Sequence, residues 1–137
     1  MSGRAFFDTN IFIYLYAEKE REKQTVCKDV INKADECITS TQILNEISNV
    51  LIKKWQMPVD TVKTIHRDII QISDEVVYIK EDTIDKAVDL HFKYGFSYYD
   101  CLMLSSALES NCQTIFTEDM SDSQVIENAL TIVNPFK

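Results

Sequence analysis

Apolar residues along this chain follow two patterns: short continuous runs, and longer stretches in which they recur every three or four positions. The first pattern is typical of buried strands, and the second of helices that bury one face. We therefore predict five strands, at 5–7, 37–38, 76–79, 114–116 and 130–133. The intervening segments predict helices at 11–18, 27–34, 43–51, 58–72, 83–94 and 97–110. Such alternation indicates an α/β fold with a parallel sheet and helices on both of its faces.

Proline, glycine and serine residues predict where several of these helices begin and end. Pro58 suits the first turn of a helix, and the short segment 55–57 before it predicts an antiparallel hairpin of two helices over 43–72. Gly95 is placed to end one helix, and Ser97 to cap the start of the next.

Composition bounds the class of protein. The 137 residues are 45% hydrophobic and 26% charged, which is typical of one soluble globular domain. No apolar run approaches the length of a membrane span, and no signal-peptide pattern opens the sequence, so we expect a cytoplasmic protein. The four cysteines form no C-x-x-C pair, so we expect free thiols packed as small apolar residues.

Charge and glycine content exclude some functions. The net charge of −8 disfavours a protein that binds nucleic acid by a basic surface alone, but it leaves room for a nuclease whose carboxylates bind metal ions. Only two glycines occur, so neither a P-loop nor a dinucleotide-binding fingerprint is present.

Asp8 stands at the carboxyl end of the first predicted strand. Ligands of open α/β sheets bind at this edge, which makes Asp8 a candidate site residue. Its alternative role is to cap the helix that follows.

Three further acids have one functional and one structural interpretation each. Glu46 borders the apolar face of its helix, and an acid there is often only a rim residue. Asp100 opens a helix that is apolar on nearly every side, where a carboxylate needs a partner, although a capping box would also explain it. Asp119 follows the fourth strand, but Glu118 and Asp122 lie close by, and spacing does not decide which of them points inward.

The four acids become more informative together. If the first and fourth strands are neighbours, Asp8 and Asp119 flank the point where the chain reverses direction, and Glu46 and Asp100 start near the same edge. Carboxylates gathered in a small space need a counter-ion. Oxygen ligands without histidine or cysteine favour Mg²⁺ or Mn²⁺ over Zn²⁺.

The sequence resembles PIN-domain proteins, and specifically the VapC-type toxins of bacterial toxin–antitoxin pairs, over essentially its whole length. The motifs that carry the resemblance are Phe7-Asp8-Thr9-Asn10, Leu44-Asn45-Glu46, Ser97-Tyr98-Tyr99-Asp100 with its apolar helix, Thr117-Glu118-Asp119-Met120 and Ile132-Val133-Asn134-Pro135-Phe136.

The resemblance implies a single PIN domain over 1–137, a three-layer α/β/α sandwich whose five parallel strands lie in the order 3-2-1-4-5. It implies Mg²⁺- or Mn²⁺-dependent endonucleolytic cleavage of RNA, a homodimer, and an antitoxin partner that inserts an Arg or Lys among the carboxylates. The helix hairpin 43–72 is then a plausible antitoxin surface. The implied metal ligands and catalytic acids are Asp8, Glu46, Asp100 and Asp119, with Thr117 ordering the site and Asn10 supporting the first acid.

Three other interpretations stay open. One is a PIN-fold module that binds RNA or protein without catalysis, and another is an RNA-processing nuclease without an antitoxin. The third is a phosphotransfer domain, which we disfavour because Asn10 occupies the position of a phosphatase's second acid and no lysine follows the fourth strand. Some side chains are expected to be structural or solvated rather than catalytic: Lys53, Lys54, His66, Arg67, His91, Lys93, Ser105 and Ser106.

Overall fold

The computed structural model describes residues 3–137, in which strands and helices alternate. The strands are β1 (Arg4–Phe7), β2 (Glu36–Ser40), β3 (Glu75–Val77), β4 (Thr114–Phe116), β5 (Val125–Ile126) and β6 (Leu130–Val133). The helices are α1 (Thr9–Tyr14), α2 (Arg21–Lys33), α3 (Thr41–Asn49), α4 (Val59–Ile72), α5 (Glu81–Tyr94) and α6 (Tyr98–Glu109).

The strands form one sheet in the order β3-β2-β1-β4-β6-β5. The five predicted strands are β1, β2, β3, β4 and β6. They are parallel, and the predicted order of 3-2-1-4-5 is confirmed for them. In the central pair, Phe7 of β1 lies beside Phe116 of β4. This register brings the two following residues, Asp8 and Thr117, to the same edge of the sheet.

The sheet has six strands, one more than the five predicted from the sequence. Val125–Ile126 adds a sixth strand at the edge, antiparallel to β6. The two strands are joined by a tight turn whose central residues, Glu127 and Asn128, have φ angles of 54° and 56°. Such hairpin turns are usually signalled by Asn-Gly or Asp-Gly, and a strand of two residues leaves no hydrophobic pattern to read.

Both faces of the sheet are covered. Adjacent side chains of β1, which point to opposite faces, are equally inaccessible to solvent, as Phe6 and Phe7 show. The helices α5 and α6 pack against each other. In a second group of helices, α1 contacts α2 and α3, and α3 contacts α4. The molecule is therefore the three-layer α/β/α sandwich that the sequence predicts.

Several helix ends differ from the predicted ones. The helix α1 stops at Tyr14 rather than at residue 18, and the charged segment that follows opens α2 at Arg21. The helix α3 continues into a π-helical turn, Val50–Lys54, before the chain reverses into α4. The predicted hairpin of α3 and α4 is present, with Pro58 as the cap residue of α4.

The remaining sequence expectations concern cysteines and membranes. All four cysteines are buried and free, and burial raises the pKa of Cys27, Cys37 and Cys112 to about 12. Unreactive thiols of this kind behave as small apolar side chains. Within residues 3–137, no helix is long and apolar enough to cross a membrane.

We predict that Gly95→Ala lowers the free energy of unfolding by about 1 kcal/mol, because a side chain resists the left-handed conformation that ends α5. Gly95 has a φ of 80°, and a Cβ placed there meets no atom within 4 Å, so the cost is conformational and not steric. Urea denaturation measures the change. Gly95→Asn is the matched control and should lose less, since asparagine tolerates this conformation; equal losses would contradict the explanation.

Candidate active site

Asp8 is held at the carboxyl end of β1 by hydrogen bonds from both sides. Its backbone N–H donates to the carbonyl of Phe116 at 3.0 Å, which continues the ladder between β1 and β4. The Thr117 hydroxyl then donates to Asp8 Oδ2 at 2.8 Å. The parallel register of the two strands is the reason that these side chains meet, although 109 positions separate them in sequence.

The other oxygen of Asp8 caps a helix. Oδ1 accepts a hydrogen bond of 2.6 Å from the backbone N–H of Thr9, at the start of α1. The structural interpretation of Asp8 is therefore correct as far as it goes, and it is compatible with a place in the site. A helix N-terminus stabilises a negative charge, so the cap helps to keep this buried carboxylate in place.

The electrostatic environment of Asp8 favours its protonated form. The side chain is only 8% exposed, and desolvation raises its pKa from 3.8 to about 6. The hydrogen bonds from Thr117 and Thr9 oppose the shift, whereas the charges of Asp119 and Asp100 add to it. These last two effects place Asp100 and Asp119 within electrostatic reach of Asp8.

Glu46 enters the site from α3, the helix that directly follows β2. The Thr9 hydroxyl donates to Glu46 Oε1 at 3.4 Å, so Thr9 touches two of the four acids, one through its backbone and one through its side chain. Partial burial raises the pKa of Glu46, and the charges of Asp8 and Asp100 raise it further.

Asp100 lies in the first turn of α6. Its backbone N–H donates to the hydroxyl of Ser97, the cap residue, at 3.3 Å, so the predicted cap is present. The helix that it opens is buried on nearly every side, as its apolar sequence predicts. Its carboxylate is among the causes that raise the pKa of Asp8, Glu46 and Asp119, so it lies within electrostatic reach of all three.

Asp119 comes from the loop after β4 and is the most exposed of the four acids. Its backbone N–H donates to Thr117 Oγ1 at 3.2 Å, so one threonine hydroxyl connects this loop to Asp8. Burial raises the pKa of Asp119 first, followed by the charges of Glu118 and Asp100, while Lys23 lowers it.

The structure thus brings the four predicted acids to one edge of the sheet. Among the described residues, burial is the largest cause that raises the pKa of Asp8 and of Glu46, and neighbouring carboxylates raise it further. Oxygen donors that repel one another suit a hard divalent cation such as Mg²⁺ or Mn²⁺, so the donor chemistry fits the predicted metal. Their geometry is looser than a finished metal site, because across residues 3–137 no three His, Cys, Asp or Glu side chains form a group that could hold an ion.

Glu118 belongs to a neighbouring cluster. Its carboxylate is 18% exposed and accepts hydrogen bonds from Asn10 Nδ2 at 3.2 Å, from the Tyr14 hydroxyl at 2.6 Å and from Lys23 Nζ at 3.1 Å. Asn10 therefore contacts Glu118, where the family resemblance implied support of Asp8. Asp122, the third acid of this loop, accepts from the backbone N–H of Asn134.

Sequence reasoning missed the contributions of Thr9, Tyr14 and Lys23. Thr9 had a local signal, because a threonine that directly follows the site acid, at the first position of the helix, has a hydroxyl that can reach a neighbouring side chain. Lys23 and Tyr14 gave none, since Glu118 lies 95 and 104 positions away from them.

The side chains that the sequence analysis set aside have structural or surface positions. Lys53, Lys54 and Arg67 are exposed, and Lys93 pairs with Glu127 at 2.6 Å. The hydroxyls of Ser105 and Ser106 donate to backbone carbonyls, so neither is an activated nucleophile.

The family follows from comparison with known proteins. Residues 5–124 match the family model described as PIN domain. The chain belongs to the PIN-domain family.

Solved structures share this PIN fold over nearly the whole chain. A toxin–antitoxin complex from Klebsiella pneumoniae matches with a TM-score of 0.72 at 21% identity, over 96% of this chain and 97% of that one. The Mycobacterium tuberculosis toxin VapC20, described as cleaving the sarcin–ricin loop, matches with a TM-score of 0.64 at 16% identity, over 84% of this chain and 91% of that one. VapBC2 from Rickettsia felis, bound to promoter DNA, matches with a TM-score of 0.64 at 15% identity, over 96% of this chain and 99% of that one. No curated protein matches the sequence.

The raised pKa of Asp8 predicts a pH-dependent stability. The folded protein keeps a proton on Asp8 up to about pH 6, whereas the unfolded chain releases it near pH 3.8. The stability that Asp8 contributes to the folded state is therefore fully present below pH 4 and is lost as the pH rises through 6. Without divalent ions, the free energy of unfolding should fall by up to about 3 kcal/mol from this group between pH 4 and 8. Urea denaturation in EDTA across this range measures the slope.

The control for this prediction is a pair of substitutions. Asp8→Asn should reduce the change of the free energy of unfolding with pH. Asp89→Asn, at an exposed position of α5, should leave that change as in the wild type. An unchanged slope in Asp8→Asn would show that Asp8 does not carry the effect.

Proposed function

We propose that this PIN domain is a metal-dependent endoribonuclease and the toxin of a toxin–antitoxin pair. The observation that carries the proposal is the convergence of Asp8, Glu46, Asp100 and Asp119 at the carboxyl edge of the sheet, where burial and neighbouring acids raise the pKa of Asp8, Glu46 and Asp119. An accumulation of acidic side chains without a cation is unfavourable unless it serves to bind one.

The four acids are the proposed ligands of Mg²⁺ or Mn²⁺. A bound divalent ion lowers the pKa of a water molecule for in-line attack on a phosphodiester and offsets charge on the leaving oxygen. Asp8 is fixed by Thr117 and Thr9, which pre-orients the innermost ligand. Asp119 is exposed and has a raised pKa, so its carboxylate suits the role of accepting a proton from water.

An antitoxin is the proposed protein partner. The Klebsiella and Rickettsia structures are described as toxin–antitoxin assemblies, which supports a partner for this chain by likeness of fold. The α3–α4 hairpin supports it as well, because four large apolar side chains on this segment are solvent-exposed: Ile52, Val59, Ile70 and Ile72. An Arg or Lys of the antitoxin placed among the acids would compete with the metal ion.

A homodimer in the cytoplasm completes the proposal. The helix α5 exposes Ile84, Val88 and Phe92, spaced four residues apart and so aligned on one face, which suits a contact between two copies. Four free cysteines agree with a reducing compartment.

We predict that the purified protein, free of antitoxin, cleaves tRNA or rRNA into discrete fragments with Mg²⁺ or Mn²⁺ and not with EDTA. Asp8→Asn and Asp100→Asn should each reduce the rate at least about 100-fold, since each removes a ligand charge from the site. Asp122→Asn is the matched control on the same loop as Asp119, and it should keep full activity because its amide oxygen still accepts from Asn134. Gel electrophoresis of the RNA gives the measurement.

Two outcomes of this experiment would overturn the assignment. Cleavage that survives EDTA, or both substitutions, would place the activity elsewhere. Absence of cleavage with every metal and RNA would favour a binding module, while cleavage by a protein that has no antitoxin partner would favour an RNA-processing role.

We also predict that Mg²⁺ or Mn²⁺ stabilises the folded protein at pH 8, where Asp8 is ionised. Binding to the folded state alone should raise the free energy of unfolding by about 3 kcal/mol at a hundredfold excess over the dissociation constant. Thermal unfolding with and without the ion measures this. Asp100→Asn should abolish most of the stabilisation, and an equal stabilisation in that variant would mean that the ion binds elsewhere.

A further inference from the structure

A cavity of about 590 Å³ lies beside Glu46, between α3 and α6. Its lining includes Glu46, which is one of the four acids, and it includes Tyr99 and Leu102, which flank Asp100 in sequence. The volume is within the range of sites that bind small organic groups. The cavity is therefore contiguous with the proposed catalytic site, and no step of the proposed hydrolysis uses it.

The chemistry of the lining excludes a phosphate as its occupant. Glu46 is the only charged residue among the lining side chains, and most of the surface that they offer is apolar. An anionic group would be repelled by this carboxylate and would find no cation there. A neutral, flat and partly polar group is a better match.

Tyr99 offers a platform for such a group. Its side chain is 68% exposed although it is large and aromatic. Tyr98 packs edge-on against the Tyr99 ring, with centroids 5.4 Å apart, and helps to orient it. An exposed and oriented aromatic ring is the arrangement with which proteins stack unpaired bases of RNA.

Two amide side chains supply the polar part of the lining. Gln42 Nε2 donates to the carbonyl of Tyr99 at 2.9 Å, so this amide links α3 to α6 at the cavity wall. Asn45 is exposed and presents a second amide, which both donates and accepts.

We propose that this cavity is a nucleobase subsite, in which Tyr99 stacks on a base next to the scissile phosphate while Asn45 contacts its edge. The subsite deepens the proposed function and rests on it, since the substrate class is single-stranded RNA. It assigns sequence preference to the surface between α3 and α6. Any base can stack on Tyr99, and the amide of Asn45 distinguishes among bases by hydrogen bonds to the base edge.

The test measures binding separately from cleavage. Fluorescence anisotropy with labelled hexanucleotides of A, C, G and U, in Ca²⁺, gives the dissociation constants of the full chain. Tyr99→Ala should weaken binding of all four by about 5- to 100-fold, because stacking contributes regardless of base identity. Tyr99→Phe should bind as the wild type does, since it keeps the ring. Asn45→Ala should bring the dissociation constants of the four oligonucleotides closer together, because the amide that distinguishes among bases is lost.

Tyr78→Ala is the matched control, because Tyr78 is 70% exposed and is not part of the cavity lining. Equal binding by Tyr99→Ala and wild type, equal losses in Tyr99→Ala and Tyr78→Ala, or no binding by the wild type would each overturn the subsite. A change in the oligomeric state of Tyr99→Ala with RNA binding intact would also overturn it, and would make the cavity a contact between subunits.

The same proteins distinguish this proposal from the proposed function. If wild type and Tyr99→Ala cleave RNA in Mg²⁺ with the same KM, the nuclease stands and the subsite falls. If binding depends on Tyr99 but no divalent ion supports cleavage, the subsite stands and the nuclease falls.

Discussion

The site depends on one buried carboxylate at the end of the central strand. Asp8 is the innermost acid, and an ionised group at such a position is stable only when hydrogen bonds surround it. Thr117 on the neighbouring strand and the start of α1 supply these bonds. The cap, the register of β1 and β4, and the path of the loop to Asp119 are consequently parts of one arrangement.

This arrangement leaves the protein with an unfavourable accumulation of negative charge. Asp8, Glu46 and Asp119 all have a raised pKa, and in each case burial and neighbouring carboxylates are causes. The fold tolerates this because the acids come from different elements, each anchored by its own strand or helix.

The two clusters at this edge contrast in how they balance charge. Glu118 is matched by Lys23, whose ammonium also lies 4.9 Å from the ring centre of Tyr14 and 5.0 Å from that of Phe136. The adjacent Asp119 is exposed to solvent and forms no ion pair within residues 3–137. One position in sequence therefore separates a structural acid from a candidate catalytic one, and the difference is which side chain meets a cation.

The sequence alone determined the alternation of strands and helices, because hydrophobic periodicity is a local property. The order of the five main strands came from the resemblance to PIN-domain proteins, and the four candidate acids came from short local motifs together with that resemblance. Only the tertiary structure decided that Glu118 pairs with Lys23 instead of joining the site, that Asn10 contacts Glu118, and that Tyr99 and Gln42 line a cavity beside Glu46. It also supplied the sixth strand, which is too short to leave a pattern. Contacts between residues about a hundred positions apart are set by how helices and strands dock, and no local pattern encodes them.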